Sequence, residues 1–178
     1  MAHSYKSEYP QGVQVDDGIK AFFEEFYKTS DTPDAHEKYA DSFTKDATII
    51  VASKKAVGSE GMKSMFSYKN SYLRFLLEIL QLRKGMWTTV ASRLHTPHKI
   101  FPFGSGSNEV MLYGNVVYTL KDGRKADVSC LGPSGLYFFD WWQQVEWGAR
   151  ASLVKDGGRW KLQFYQVYLD SAAAQNAK

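Results

Sequence analysis

Two Asp-Gly pairs in the C-terminal third constrain the fold of this chain most tightly, because strand-like runs flank each of them. Glu109-Val-Met-Leu-Tyr-Gly-Asn-Val-Val-Tyr-Thr-Leu120 precedes Asp122-Gly123, and Asp156-Gly157 leads into Trp160-Lys-Leu-Gln-Phe-Tyr-Gln-Val-Tyr-Leu169. Asp-Gly supplies the positive φ of a tight hairpin turn, and alternating β-branched and aromatic residues suit a sheet with one buried face. The pattern predicts a curved antiparallel meander in the second half of the chain.

At 178 residues the chain suits one domain with a full core. Hydrophobic residues make up 44% of it, which argues against disorder outside the ends. Eleven Tyr, eleven Phe and five Trp exceed what a plain core requires, so some can line a pocket, with core packing as the simpler use. A formal charge of +3 without a long Lys/Arg block points away from nucleic acid. Cys130 is the only cysteine, which excludes an intramolecular disulfide framework and a thiolate metal cluster. The N-terminus lacks the apolar core of a secretory signal, and no apolar run is long enough to span a bilayer. A cytoplasmic protein is the expectation.

Residues 1–15 read as a loose polar arm punctuated by Pro10 and Gly12, and 171–178 as a fraying tail around one domain over 16–170. A first helix is expected from Asp16-Asp17, whose carboxylates suit the positive end of the dipole; Ile19, Phe22, Phe23 and Phe26 recur at helical spacing. Asp31-Thr-Pro-Asp34 ends it and opens a shorter helix with His36, Tyr39 and Ala40, and residues 46–52 read as the first strand. Ser59-Glu60 is a further helix start. From Ser71 to Leu94 the leucines 73, 76, 77, 80 and 94, with Trp87, Val90 and Ala91, form one helical stripe that leaves Arg74, Arg83 and Lys84 off it. His95-Thr-Pro-His98 then ends the helix, and Lys99–Phe103 is a short strand that Pro102 assigns to an edge or a bulge.

Three N-terminal helices followed by a curved antiparallel sheet describe a cone-shaped α+β domain. On Phe43-Thr-Lys-Asp-Ala-Thr-Ile-Ile50, Val57-Gly58, Glu109-Val-Met-Leu-Tyr-Gly114 and Lys155-Asp-Gly-Gly-Arg-Trp-Lys-Leu162, the chain resembles the nuclear-transport-factor-like superfamily, with its SnoaL-like cyclases and fungal scytalone dehydratase. The resemblance spans most of 18–170 and implies an apolar funnel between helices and sheet, with polar groups for proton transfer at its bottom. Enzymes of the dehydratase type place a tyrosine and an aspartate on the first helix, histidines in the second and third strands, and an asparagine in the fourth. Carried over, His98 matches the first histidine and Tyr27 the tyrosine, whereas Lys28, Gly114 and Ala149 stand at the other three positions. The fold carries over; the dehydratase activity does not, because one fold hosts many functions.

Ala126-Asp-Val128 would join Val145–Val154 into one alternating strand, with Trp147, Ala149, Ala151 and Leu153 on its apolar face, were residues 129–144 absent. A comparable intrusion covers 61–77. Both segments read as inserts, either lineage-specific or translated non-coding sequence such as retained introns; a functional aromatic lid over Leu136–Trp142 is the rival reading of the second. A fully spliced transcript that keeps both segments would exclude retained introns.

Among candidate site residues, His98 suits general acid-base work by its near-neutral pKa, and a backbone-bonded junction histidine is the alternative. His95, three residues earlier, raises the idea of a metal pair, but without a nearby carboxylate helix-end capping competes with it; no metal site and no cofactor are expected. Tyr27 would polarise a ligand oxygen, or serve as a core tyrosine with its hydroxyl at the rim. Tyr39, Trp87 and Trp147 are the expected ligand-lining aromatics. Glu146 and Arg150 fall on the opposite face from Trp147, toward solvent or a dimer interface. Two functions stay open: a cofactor-free lyase, isomerase or cyclase acting on a small apolar or aromatic molecule, and a non-catalytic ligand-binding or dimerisation module. A homodimer formed through the sheet, with neither nucleic acid nor membrane as partner, is expected in both.

Overall fold

The computed structural model describes residues 3–58, 68–123, 125–126 and 145–169. The helix start at Ser59-Glu60, residues 61–67 of the first intrusion, the whole of 129–144, Asp127, Val128 and the tail lie outside the described residues.

Helix α1 (Asp17–Asp31) starts where the Asp16 carboxylate accepts a hydrogen bond from the Gly18 N–H at 2.7 Å. Its buried stripe of Ile19, Phe23, Phe26, Tyr27 and Ser30 follows the helical period, and it ends as Thr32 turns extended ahead of Pro33. Helix α2 (His36–Asp41) contributes Tyr39 and Ala40 to the core. Strands β1 (Phe43–Val51) and β2 (Lys54–Val57) form a hairpin, and helix α3 (Tyr68–Met86) follows. The remaining strands are β3 (Val90–Pro102), β4 (Glu109–Leu120), β5 (Lys125–Ala126), β6 (Val145–Asp156) and β7 (Arg159–Leu169).

The strands make one sheet in the order β2-β1-β7-β6-β4-β3, with β5 also on β4. All pairs are antiparallel except β1 with β7, so the sheet is a meander closed onto the N-terminal hairpin by one parallel contact. Both Asp-Gly pairs form turns: Gly123 has φ 87° and Gly157 φ 59°, and the second turn joins β6 to β7. Parity along β6 is as the alternation requires, with Trp147, Ala149, Ala151 and Leu153 buried and Glu146 and Arg150 exposed. The core lies between this concave sheet face and α1 with its partners.

One element boundary differs from the sequence reading. The stripe that carries a helix through to Leu94 breaks at Met86, and Val90–Pro102 is a 13-residue edge strand. Thr88, Thr89 and Val90 are β-branched, and strand pairing with β4 outweighs the apolar spacing they share with α3. The buried face of α3 is set by Phe75, Ile79 and Arg83, while Leu73 and Leu77 are exposed. Arg83, off the apolar stripe by sequence, is 0% exposed.

Residues 3–10 lie along the outer edge of β3. The Glu8 N–H donates to the His98 carbonyl at 2.8 Å, and the Ile100 N–H donates to the Glu8 carbonyl at 3.0 Å, a parallel bridge that occupies part of the β3 edge. Among the described residues no helix is long and apolar enough to cross a membrane.

Candidate active site

The site is built by the last turn of α1 and the first half of β3. Tyr27 and Asp31 are four residues apart and therefore share a helix face. His95 enters from β3, where Arg93, His95 and Pro97 alternate on the concave side. The Asp31 carboxylate, 5% exposed, accepts from the His95 backbone N–H at 2.7 Å and is hydrogen-bonded by His95 Nδ1. A carboxylate on Nδ1 fixes the proton there and leaves Nε2 as the acceptor nitrogen. Among the described residues Nε2 has no hydrogen-bond partner, and His95 lines a cavity beside Tyr27, Tyr39, Arg93 and Trp147.

The cavity measures about 60 Å³ and has an open mouth. Apolar walls come from Phe26, Val116, Val167 and Leu169. Burial pushes the His95 pKa down; the Asp31 carboxylate opposes this, and the positive charges of Arg93 and Arg83 add to it. The imidazole is thus held neutral at pH 7, the form that can accept a proton. Burial, reinforced by Tyr165, holds the Tyr27 hydroxyl well above its usual pKa, and the two hydroxyls are hydrogen-bonded at 3.2 Å.

Two buried arginines clamp the end of α1 below the cavity. Arg83 donates to the carbonyls of Ser30 at 2.9 Å, Thr29 at 2.9 Å and Thr32 at 2.7 Å. Arg93 donates from Nε to the Ser30 carbonyl at 2.9 Å and from Nη2 to the Ser30 hydroxyl at 3.0 Å, and lies 3.7 Å from the Asp31 carboxylate. Guanidinium groups satisfy the orphan carbonyls of a helix C-terminus and complement its dipole. Trp87 covers this clamp, with the Arg93 guanidinium 4.6 Å from its ring centroid. Burial, then the Arg93 charge, lowers the Arg83 pKa to about 10.

The expected site residues separate in the structure. Tyr27, Tyr39 and Trp147 line the cavity; Trp87 packs outside it against Val90 and Leu120. His98 is exposed and rests on Tyr113, away from the cavity, as alternation from the inward-facing His95 and Pro97 places it; the register shift between Pro97 and Lys99 then leaves Lys99 outward as well and brings Ile100 inward. His95, treated in the sequence as a helix-end cap or half of a metal pair, is the histidine that faces inward. Among the described residues no group of His, Cys, Asp or Glu could hold a metal ion. Lys28 is exposed, and Asp31, one turn from Tyr27, provides the carboxylate. Gly114 carries no side chain for a packing reason: a Cβ there would lie 2.3 Å from the Thr96 carbonyl and 2.9 Å from the Trp147 ring. The Tyr27–Asp31 spacing was a usable signal for the dyad. His95 was hidden by the helical reading of residues 87–94.

No family model matches the chain, and no curated protein is similar to it in sequence. Solved structures are similar in fold. Nuclear transport factor 2 from Cryptosporidium parvum aligns at TM-score 0.55 and 13% identity over 89% of this chain and 100% of that one. An NTF2-like protein of unknown function from Exiguobacterium aligns at 0.55 and 12% over 84% and 98%. A hexachlorocyclohexane dehydrochlorinase, LinA type 2, aligns at 0.52 and 11% over 86% and 84%. The shared architecture is the α+β cone of the NTF2-like and SnoaL-like proteins.

Proposed function

We propose that this NTF2-like cone is a cofactor-free lyase or isomerase in which His95, oriented by Asp31, removes a proton from carbon in a small apolar or aromatic molecule. The observation that carries the reading is the buried Asp31–His95 pair, with Nδ1 engaged and Nε2 left as the acceptor nitrogen of a cavity-lining ring. A neutral imidazole with a fixed tautomer is what general base catalysis requires. In the elimination form, Nε2 takes the proton and the C–H electron pair forms the new double bond. The β-substituent leaves with its bonding pair, and a leaving hydroxide regains the proton from the imidazolium as water. A fold neighbour named a dehydrochlorinase supports elimination as the reaction class.

Tyr27 and Tyr39 act here as walls, together with Trp147, and the Tyr27 hydroxyl is positioned by Tyr165. His98 has no part in the reaction. The test is solvent-deuterium exchange at acidic carbons, followed by NMR over a panel of small cyclic hydroxyketones. Exchange should be lost in His95→Gln and kept in His98→Ala; the opposite pattern would overturn the assignment.

The exposed apolar side chains Phe101, Met111 and Tyr113 on the outer sheet face favour a second reading, a module that pairs through this face. Both readings include a homodimer. Analytical ultracentrifugation of Met111→Glu should give monomer where the wild type gives dimer.

A further inference from the structure

Arg93 borders the cavity with one end of its guanidinium poorly used. Nε and Nη2 are engaged by Ser30, whereas the contact of Nη1 is the Met86 sulfur at 3.7 Å. A thioether is a weak acceptor, and an ionised donor at a buried position leaves free energy unclaimed without a better one. Trp147 in the same wall has a buried Nε1–H that lacks a hydrogen-bond partner among the described residues.

The charge around this end of α1 is also unbalanced among the described residues. Arg83 and Arg93 bring two positive charges; Asp31 brings one negative, and the helix C-terminus adds roughly half a negative charge. About half a positive charge remains in a place from which water is largely excluded. Such a site favours a negative charge that arises during reaction.

We infer that Arg93 receives the charge developing on the substrate, and that the substrate is therefore a small carbonyl compound whose enolate oxygen sits against Arg93 Nη1. This deepens the proposed base chemistry and rests on it. When His95 Nε2 removes the α-proton, the C–H electron pair becomes the carbon–carbon double bond of the enolate. The carbonyl π pair moves to oxygen, and the proton stays on the imidazole until it is returned to carbon or to a leaving hydroxide.

The test uses 4-nitrophenol, whose phenolate mimics an enolate and is distinguished from the phenol by its absorption. Wild type should bind the phenolate at least ten-fold more tightly than the phenol, lowering the ligand's apparent pKa. His95→Gln should retain that preference, so failure of the base assignment leaves the Arg93 result readable. Arg93→Gln should lose the preference while binding neutral nitrobenzene within about three-fold of wild type. Arg93→Lys, which keeps the charge, should recover part of it and covers the case in which Arg93→Gln does not fold. Wild type binding 4-nitrophenol without phenolate preference, or not at all, would overturn the inference. So would an unchanged preference in a folded Arg93→Gln.

Discussion

Replacing Arg83 with Met is expected to be among the most destabilising single changes in this protein, although sequence pattern places Arg83 on a solvated face. The side chain is 0% exposed and serves three carbonyls at the end of α1. Hydrogen bonds from a charged donor contribute about 1.5–3 kcal/mol each, so simple addition gives roughly 4.5–9 kcal/mol. That sum is too large, because removal also relieves the burial of the charge and its repulsion by Arg93, the same two causes that lower the Arg83 pKa to about 10. Met fills most of the volume, but the carbonyls of Thr29, Ser30 and Thr32 lose a donor. A buried polar group that loses its partner costs about 1–3 kcal/mol, and with three carbonyls affected while Arg93 still serves Ser30, a total near the low end of that sum is expected. For a domain of this size each kcal/mol lowers Tm by about 2–4 °C, so urea unfolding should register about 3–4 kcal/mol and thermal unfolding a drop of about 6–16 °C. Arg83→Lys should fall between the variant and wild type. A loss below about 1 kcal/mol for Arg83→Met would refute the idea that this clamp holds the end of α1, and with it the placement of Asp31.

Other consequences are smaller. The Tyr5 hydroxyl lies near Asp31, with its pKa pushed up to about 12 by burial first and the carboxylate's charge second; Tyr5→Phe should cost at most about 1 kcal/mol in urea unfolding and reduce turnover through looser seating of Asp31. Because the folded-state pKa of His95 is lowered below its unfolded value of about 6.5, the unfolded chain binds more protons just below that pH. Stability should therefore be flat above pH about 6.5, decline as pH falls from there, and level off below the folded pKa; His95→Gln should remove this step. Carboxylates such as Asp41, whose pKa is lowered by Lys161, act in a separate window near and below pH about 4.

Much of the fold was legible because its signals are local. The Asp-Gly turns require positive φ, the alternation on β6 fixes which face of Trp147 and Ala149 is buried, and the aromatic stripe of α1 has a clean helical period. The site was less legible because its parts meet only in three dimensions. Trp87, Val90 and Leu94 continue the spacing of α3, so nothing local marks the switch to strand at Val90, and His95 inherits the wrong element. Once His95 is placed inward on β3, alternation puts His98, three residues on, on the outer face, and the shift at Pro97–Lys99 changes the facing of Lys99 and Ile100 instead. Arg83 shows the limit of hydropathy: a guanidinium can be core when helix-end carbonyls await it.

The central claim is that His95 is a neutral, Asp31-oriented base with Nε2 free to take a proton. Nitrogen-15 NMR of the histidine rings tests it without any substrate. The account predicts that one ring, absent from His95→Gln, is neutral at pH 7, with the proton on Nδ1 and a pKa below 6.5. An Nε2–H tautomer, or an imidazolium at pH 7, would contradict it.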